Sequence, residues 1–331
     1  MSSVDPAILD ALGRKSEQTK ISSHGGSGFA STFRLSSVKS DGQTVNYFVK
    51  TGSGPEADVM FTGEHASLNA IHSAVPNLCP KSYAHGVFSS DANKFFLVTD
   101  FIDLHSKSHP GGSGESLARK LARLHTTTAG GPTAAKDEEE EGRRQFGFPV
   151  TTCCGSTPQD NSWKASWPEF YADNRLRAVL RAGLKNHHHD AELSDAVEAT
   201  AARVVPRLLG AVDAIEPIRP VVVHGDLWSG NHGRGRIGGE GGTEEVVFDA
   251  SAVYGHSEYE LGIMAMFGGF SSAFWDEYLR YVPKAEPVAE WEDRRSLYEL
   301  YHHLNHWAMF GGSYRSGAMS IMKRLISKYG S

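Results

Sequence analysis

The segment 221–231 reads Val-Val-Val-His-Gly-Asp-Leu-Trp-Ser-Gly-Asn, and it constrains the fold more tightly than any other stretch of the chain. Three β-branched residues in succession predict a short buried strand at 221–223. That strand delivers His224, Gly225 and Asp226 to its end, where polar side chains can project into a cleft. Asp226 and Asn231 stand five positions apart, so one loop can turn a carboxylate and an amide toward the same bound group. A second β-rich run, Val246-Val247-Phe248, ends in Asp249. The fold must therefore bring two strand ends to one site.

Upstream, the first 100 residues read as strand-rich and the rest as mostly helical, which marks a boundary between a unit at 1–100 and one at 101–331. Residues 44–50 alternate Val45, Tyr47 and Val49 with Asn46, Phe48 and Lys50, as a strand ending at Lys50 requires. Phe95-Phe96-Leu97-Val98 reads as a buried central strand, and residues 100–103 as the connector after it. Between them, residues 55–74 place Phe61, Glu64, Leu68 and Ile71 on one line of a helix. A carboxylate buried there without a partner costs several kcal/mol on a rough scale, so a cation is expected to meet it. Lys50 is the candidate. The alternative is a solvated Glu64 at the edge of the stripe. His24-Gly25-Gly26-Ser27-Gly28 is a glycine-rich turn whose N–H groups can cover phosphates, although a chain with 35 glycines also makes such clusters as ordinary turns.

The order of these parts carries more than any one of them. Glycine loop, Lys50, Glu64, connector, Asp226, Asn231 and Asp249 follow the arrangement used for phosphoryl transfer. There an aspartate accepts the substrate hydroxyl proton, and an asparagine and a second aspartate hold magnesium. Magnesium takes one or two carboxylates plus substrate oxygens. The expectation is an α+β chain of the protein-kinase-like two-lobed fold, aminoglycoside phosphotransferase-like. Residues 1–100 would be a nucleotide-binding N-lobe and residues 101–331 a catalytic and substrate-binding C-lobe.

The remaining segments read as scaffold. From Glu115, Leu117, Leu121, Leu124 and Thr128 predict an amphipathic helix with His125 as a core histidine. The charge-dense run 136–144 reads as a surface loop. Ser166-Trp167-Pro168-Glu169 is a capping box opening a helix. Leu193, Val197, Ala201, Val204, Leu208 and Val212 mark a long helix bent near Pro206. His187-His188-His189 reads as a surface linker, and at least three helices follow Glu258. Three cysteines, Cys79, Cys153 and Cys154, are too few for a disulfide framework, and the adjacent pair lacks the C-x-x-C spacing of a metal site, so a packing role is expected. A net charge of −6 provides no basic stripe for nucleic acid. No run approaches the ~18 apolar residues of a membrane span, so a cytosolic location without a membrane partner is expected.

HGDLWSGN at 224–231, FGF at 146–148, TTCCGSTPQ at 151–159, FDASAVYGHSEYELGIMAMFGGF at 248–270 and LNHWAMFGGSYR at 304–315 resemble the fructosamine 3-kinase family, also called ketosamine or protein-ribulosamine 3-kinases. The resemblance spans almost the whole chain. It implies ATP-dependent phosphorylation of the sugar 3-hydroxyl of ribulosamines or fructosamines formed on lysine amines. The 3-phosphate is unstable and releases the amine, which repairs the protein. Residue by residue it implies Asp226 as base, and Asn231 and Asp249 as magnesium ligands. Lys50 would be the phosphate clamp held by Glu64, with Gly25, Gly26, Ser27 and Gly28 over the phosphates and Asp100, Phe101 and Ile102 as the adenine connector. Trp228 would be a sugar platform, since an aromatic face suits the C–H surface of a sugar; packing under the loop is its alternative. His256 and Glu258 are expected either in the same cleft or in a structural role. Two departures stand out. Ser27-Gly28 occupies the place where many members carry a loop cysteine, so a loop disulfide is not implied, and Ala250-Ser251 follows Asp249 in place of proline-alanine. The competing readings are a kinase for free small alcohols, of the aminoglycoside or choline type, and a pseudokinase that binds without turnover.

Overall fold

The computed structural model describes residues 4–26, 28, 30–104, 114–127, 144–239 and 241–330. Helix α1 (Pro6–Leu12) precedes β1 (Thr19–Gly26), β2 (Ser31–Val38) and β3 (Thr44–Ser53). Helix α2 (Pro55–Ala74) follows, then β4 (Ser82–Val87) and β5 (Lys94–Asp100). These strands form one antiparallel sheet in the order β1-β2-β3-β5-β4. The alternation in β3 sets its two faces: Tyr47 and Val49 join Leu35, Phe96 and Val98 in a core with Ile8 and Leu9 of α1, so Phe48 and Lys50 point the other way. The strand runs three residues beyond Lys50, because Thr51, Gly52 and Ser53 keep pairing with β5. Gly52 is required there: a Cβ on it would lie 2.8 Å from the Ala57 Cβ of α2. Helix α2 has the bounds expected from sequence, with Pro55 in its first turn and Phe61, Glu64, Leu68 and Ile71 all buried.

After Asp100 the chain leaves this sheet as β6 (Ile102–Asp103). Helix α3 (Leu117–Thr126), capped by the Ser116 hydroxyl, follows; Thr128 and residues 136–143 lie outside the described residues, while Arg144 donates to Asp213 Oδ1 at 2.7 Å. The hairpin β7 (Cys153–Cys154) and β8 (Thr157–Pro158) leads into α4 (Trp167–Phe170), whose N-cap Ser166 accepts from Glu169 N at 3.4 Å. A π-turn joins α4 to α5 (Ala178–Asn186). Helices α6 (Ala191–Ala199) and α7 (Val205–Ile215) form the long helix expected from sequence, all six of its marked positions buried. Its interruption is a π-turn, Thr200–Val204, just ahead of Pro206, which absorbs the missing N–H of the proline. His188 and His189 are exposed, whereas His187 Nε2 bonds Trp307 O at 2.7 Å.

Two short antiparallel ribbons carry the polar loops. Strand β9 (Val221–Val223) is followed by β10 (His232–Ile237), β11 (Glu244–Val247) and β12 (Val253–Gly255); β9 pairs with β12, and β10 lies between β11 and β6. Residues 224–231 therefore connect the two ribbons in one direction and 248–252 in the other. Helices α8 (Glu260–Phe267), α9 (Ser272–Tyr281), α10 (Trp291–Phe310) and α11 (Tyr314–Tyr329) close the chain, with α10 in a core shared with Trp167, Phe170, Tyr171 and Leu208. Among the described residues no helix is long and apolar enough to cross a membrane.

Helix α8 rests on α10 through Gly262, where a Cβ would lie 2.6 Å from the Tyr298 carbonyl carbon and 2.7 Å from Glu299 N. Backbone cannot rotate aside as a side chain can, so Gly262→Ala must push the helices apart. A loss of about 1–3 kcal/mol is expected from such overpacking, read as a lower urea midpoint at unchanged m-value.

Candidate active site

Two cavities meet at Lys50, Glu64 and Asp249. One, of about 240 Å³, lies between Phe48, Lys50 and Thr99 of the sheet, Ile102 of the connector and Phe248. The other, of about 450 Å³, is lined by Asp226, Trp228, Asn231, Cys154, Phe267 and Met309 among others. The Lys50 ammonium stands at their junction, with both Glu64 oxygens at 2.8 Å and Asp249 Oδ1 at 2.6 Å. Glu64 thus has the cation its buried position demanded, and the solvated alternative falls away. Burial alone would push the Lys50 pKa down; the Asp249 and Glu64 charges outweigh it and hold the ammonium above its ordinary value. For Asp249 burial works upward, and Lys50 outweighs it in the lowering direction.

The loop after β9 is fixed by backbone contacts. Gly225 has φ +83°, and a Cβ there would collide with Ser251 O. The buried Glu260 carboxylate accepts from Gly225 N at 3.0 Å and from His224 N. Burial would raise this carboxyl, but the His125 ring 3.7 Å away and the backbone N–H of His224 outweigh it and hold it below its ordinary value. His224 Nε2 lies 3.0 Å from Phe248 O. A carbonyl only accepts, so Nε2 carries the proton and Nδ1 is left to accept from Asp226 N at 3.3 Å. Phe248 N donates to Asn231 O at 3.1 Å, and Ser251 N to His224 O at 2.9 Å. These bonds tie the Asp226 loop to the Asp249 loop. Asp249, at φ +59°, is the one described non-glycine residue in the left-handed region, a conformation that recurs where function sets the backbone.

Asn231 Nδ2 donates to Asp226 O at 2.8 Å and to Oδ2 at 3.2 Å, and the Cys154 thiol lies 3.6 Å from Asp226 Oδ1. Burial, reinforced by the Asp249 and Glu260 charges, raises the Asp226 carboxyl to about 8 against the lowering effect of these two bonds. Trp228 is 38% exposed. Its indole leans on Phe267 at 5.6 Å and lies over Gly230, where any side chain would strike it. The ring forms a rim of the second cavity and is not hidden under the loop.

Not every residue singled out from sequence takes part. Gly26 borders the first cavity and Gly28 the second, Gly25 supplies a positive φ of 75°, and Ser27 lies outside the described residues. Asp100 and Ile102 border the first cavity, but the Asp100 carboxylate accepts from Tyr83 Oη at 2.7 Å and Lys81 N at 3.0 Å. The Phe101 ring packs outside that lining, 4.8 Å under the Arg34 guanidinium and 4.9 Å from His24. His256 and Glu258 do not line the cleft. His256 Nδ1 bonds Tyr298 Oη at 2.9 Å, and Glu258 pairs with buried Arg294 at 2.8 Å, because the chain after β12 turns directly into the helical core. Cys154 was expected only to pack, yet its thiol reaches Asp226. His125 is the core histidine expected, bonded to Tyr278 Oη at 2.7 Å. Sequence reasoning gave no role to Glu260 or to the ring of His224; the one signal was a second acid just after the Tyr-Gly-His-Ser-Glu run.

Comparison with known proteins finds relatives over most of the chain. The family model described as fructosamine kinase matches residues 1–328. The chain is 36% identical over 288 residues to ketosamine-3-kinase of Mus musculus, spanning 84% of this chain and 87% of that one. It is 33% identical over 314 residues to the chloroplastic protein-ribulosamine 3-kinase of Arabidopsis thaliana, spanning 94% and 83%. A solved putative fructosamine-3-kinase from Thermobifida fusca superposes with a TM-score of 0.72 at 25% identity, over 98% of this chain and 99% of that one.

Glu260→Gln tests the loop anchor. An amide can accept only at its oxygen, so one of the two buried N–H groups loses its partner, at about 1–3 kcal/mol. Thermal unfolding is expected to shift down accordingly, with turnover reduced by roughly 10–100-fold through misplacement of Asp226; unchanged turnover counts against Glu260 as the loop's anchor.

Proposed function

The chain belongs to the fructosamine kinase family, and from that premise we propose that it is a ketosamine 3-kinase, transferring the γ-phosphoryl group of ATP to the sugar 3-hydroxyl of ribulosamines or fructosamines carried on lysine side chains of glycated proteins. In this reading residues 1–100 bind nucleotide and residues 101–331 carry catalysis and the acceptor. The observation that carries it is the meeting of two cavities at one ammonium and one aspartate: a donor site under the sheet and an acceptor site above Asp226 share Lys50, Glu64 and Asp249.

The geometry supports a direct displacement. The sugar O3–H proton passes to the Asp226 carboxylate as O3 bonds the γ-phosphorus and the bond to the ADP oxygen breaks. Asn231 holds Asp226 in place, and Lys50, positioned by Glu64, provides positive charge for the phosphates. The Trp228 indole, open at the rim, offers its face to the C–H surface of the sugar. Asn231 and Asp249 contribute amide and carboxylate oxygens from two loops bonded to each other, which suits a hard divalent ion. Bound there, magnesium would neutralise phosphate charge. The 3-phosphate product then decomposes and frees the amine, so the outcome is deglycation.

Asp226→Ala is expected to keep ATP binding, since the nucleotide cavity does not include this residue, while turnover falls by about 10²–10⁴ as for loss of a general base. Isothermal titration with nucleotide and a coupled ADP assay separate the two. Near-normal turnover refutes the assigned base.

A further inference from the structure

Beside the proposed base stands a group of side chains that phosphoryl transfer does not use. Cys154 on β7 is 1% exposed, and so is His302 on α10. Among the described residues neither ring nitrogen of His302 has a hydrogen-bond partner, although buried polar groups are ordinarily bonded. One His302 nitrogen, Cys154 Sγ and an Asp226 carboxylate oxygen all lie within 4.8 Å of one another. The frame around them is firm. Asn305, one turn along α10, donates to Cys154 O at 3.1 Å, and the Tyr259 ring lies over His302 at 6.1 Å between centroids and 27° between planes. Burial holds His302 well below its ordinary pKa, so the ring is in the neutral form that ligates metals.

We propose that Cys154, Asp226 and His302 bind a single Zn²⁺ ion, and that its binding switches phosphoryl transfer off. A thiolate, an imidazole and a carboxylate form a zinc donor set, whereas magnesium takes oxygen ligands. Zinc bonds of about 2.0–2.3 Å in a tetrahedron place ligand atoms roughly 3.6 Å apart. Cys154 and Asp226 already stand at 3.6 Å, and a His302 ring nitrogen lies within 4.8 Å of both. The fourth position faces the acceptor cavity, which Cys154 and Asp226 both line. On binding, the Cys154 S–H bond breaks and the sulfur lone pair forms the Zn–S bond; that proton, together with the one the Asp226 carboxyl carries below a pKa of about 8, leaves to solvent, and no electron is transferred. Burial and the Asp226 carboxylate push the Cys154 thiol well above its ordinary value against the opposing Arg175 guanidinium, so the metal itself must displace the thiol proton. An Asp226 carboxylate bound to zinc cannot accept the sugar proton. The binding site does not depend on the catalytic reading; the switch rests on Asp226 being the base.

Metal-stripped protein in excess Mg²⁺ is titrated with Co²⁺ while thiolate-to-cobalt charge-transfer absorption is recorded, and Zn²⁺ is then added. One equivalent of Co²⁺ producing the band, displaced by Zn²⁺, is expected in the wild type. The band disappears in Cys154→Ser and persists in Cys153→Ser. By chelator competition, Zn²⁺ affinity falls on the order of tenfold or more in His302→Gln. That variant keeps its turnover without zinc and needs on the order of tenfold more Zn²⁺ for inhibition. Absence of the band in the wild type overturns the site whether or not the variants fold, as does a band that survives Cys154→Ser. Stoichiometric binding with full turnover overturns the switch and counts against Asp226 as base.

Discussion

One ammonium group ties the N-terminal sheet to the loop that carries Asp249. Lys50 extends from the face of β3 turned away from the α1 core, and reaches Glu64 on α2 and Asp249 at the end of β11. Charges taken out of water are costly unless each is paired and hydrogen-bonded. Here two carboxylates share one cation: without Lys50 the buried Glu64 carboxylate loses its counter-charge, while the half-exposed Asp249 keeps contact with water. The sheet, the helix behind it and the loop that carries Asp249 are therefore constrained together, and both cavities border that contact.

A second constraint works at the level of the backbone. Glu260 has no place in the proposed chemistry, yet its carboxylate takes the two N–H groups that the turn at Gly225 would otherwise leave unpaired. His224 bonds the carbonyl of Phe248 with one nitrogen and accepts the Asp226 amide with the other. The position of Asp226 relative to Asp249 is thus set by neutral and charged hydrogen bonds beneath the loop. With its carboxyl raised to about 8, the proposed base gains its proton-accepting form as the pH rises toward and through that value.

Much of this was legible in the sequence because it is local or periodic. The bounds of α2, the six buried positions from Leu193 to Val212, the capping Ser166 and the β-branched run at 221–223 follow from spacing and side-chain shape. The partnership of Lys50 and Glu64 followed from a carboxylate on an apolar stripe, where physics requires a cation. What escaped were contacts between residues far apart in sequence whose types are individually common: Cys154 with Asp226, Asn305 with Cys154, Glu260 with the loop. Closeness in sequence also misled. His256 and Glu258 follow Asp249 by a few residues, but the strand between carries them into the helical core, where Tyr298 and Arg294 take them up. Lys50 does not end its strand, because Gly52 lets pairing continue beneath α2.

Incubation with Mg-ATP and matched ribulosyl-lysine, fructosyl-lysine and a free amino alcohol, with phosphate transfer to each measured, tests the central claim most directly. Phosphate on the sugar 3-hydroxyl of one or both glycated lysines, followed by release of free lysine, is the predicted result. Transfer to the amino alcohol with none to either ketosamine would contradict it.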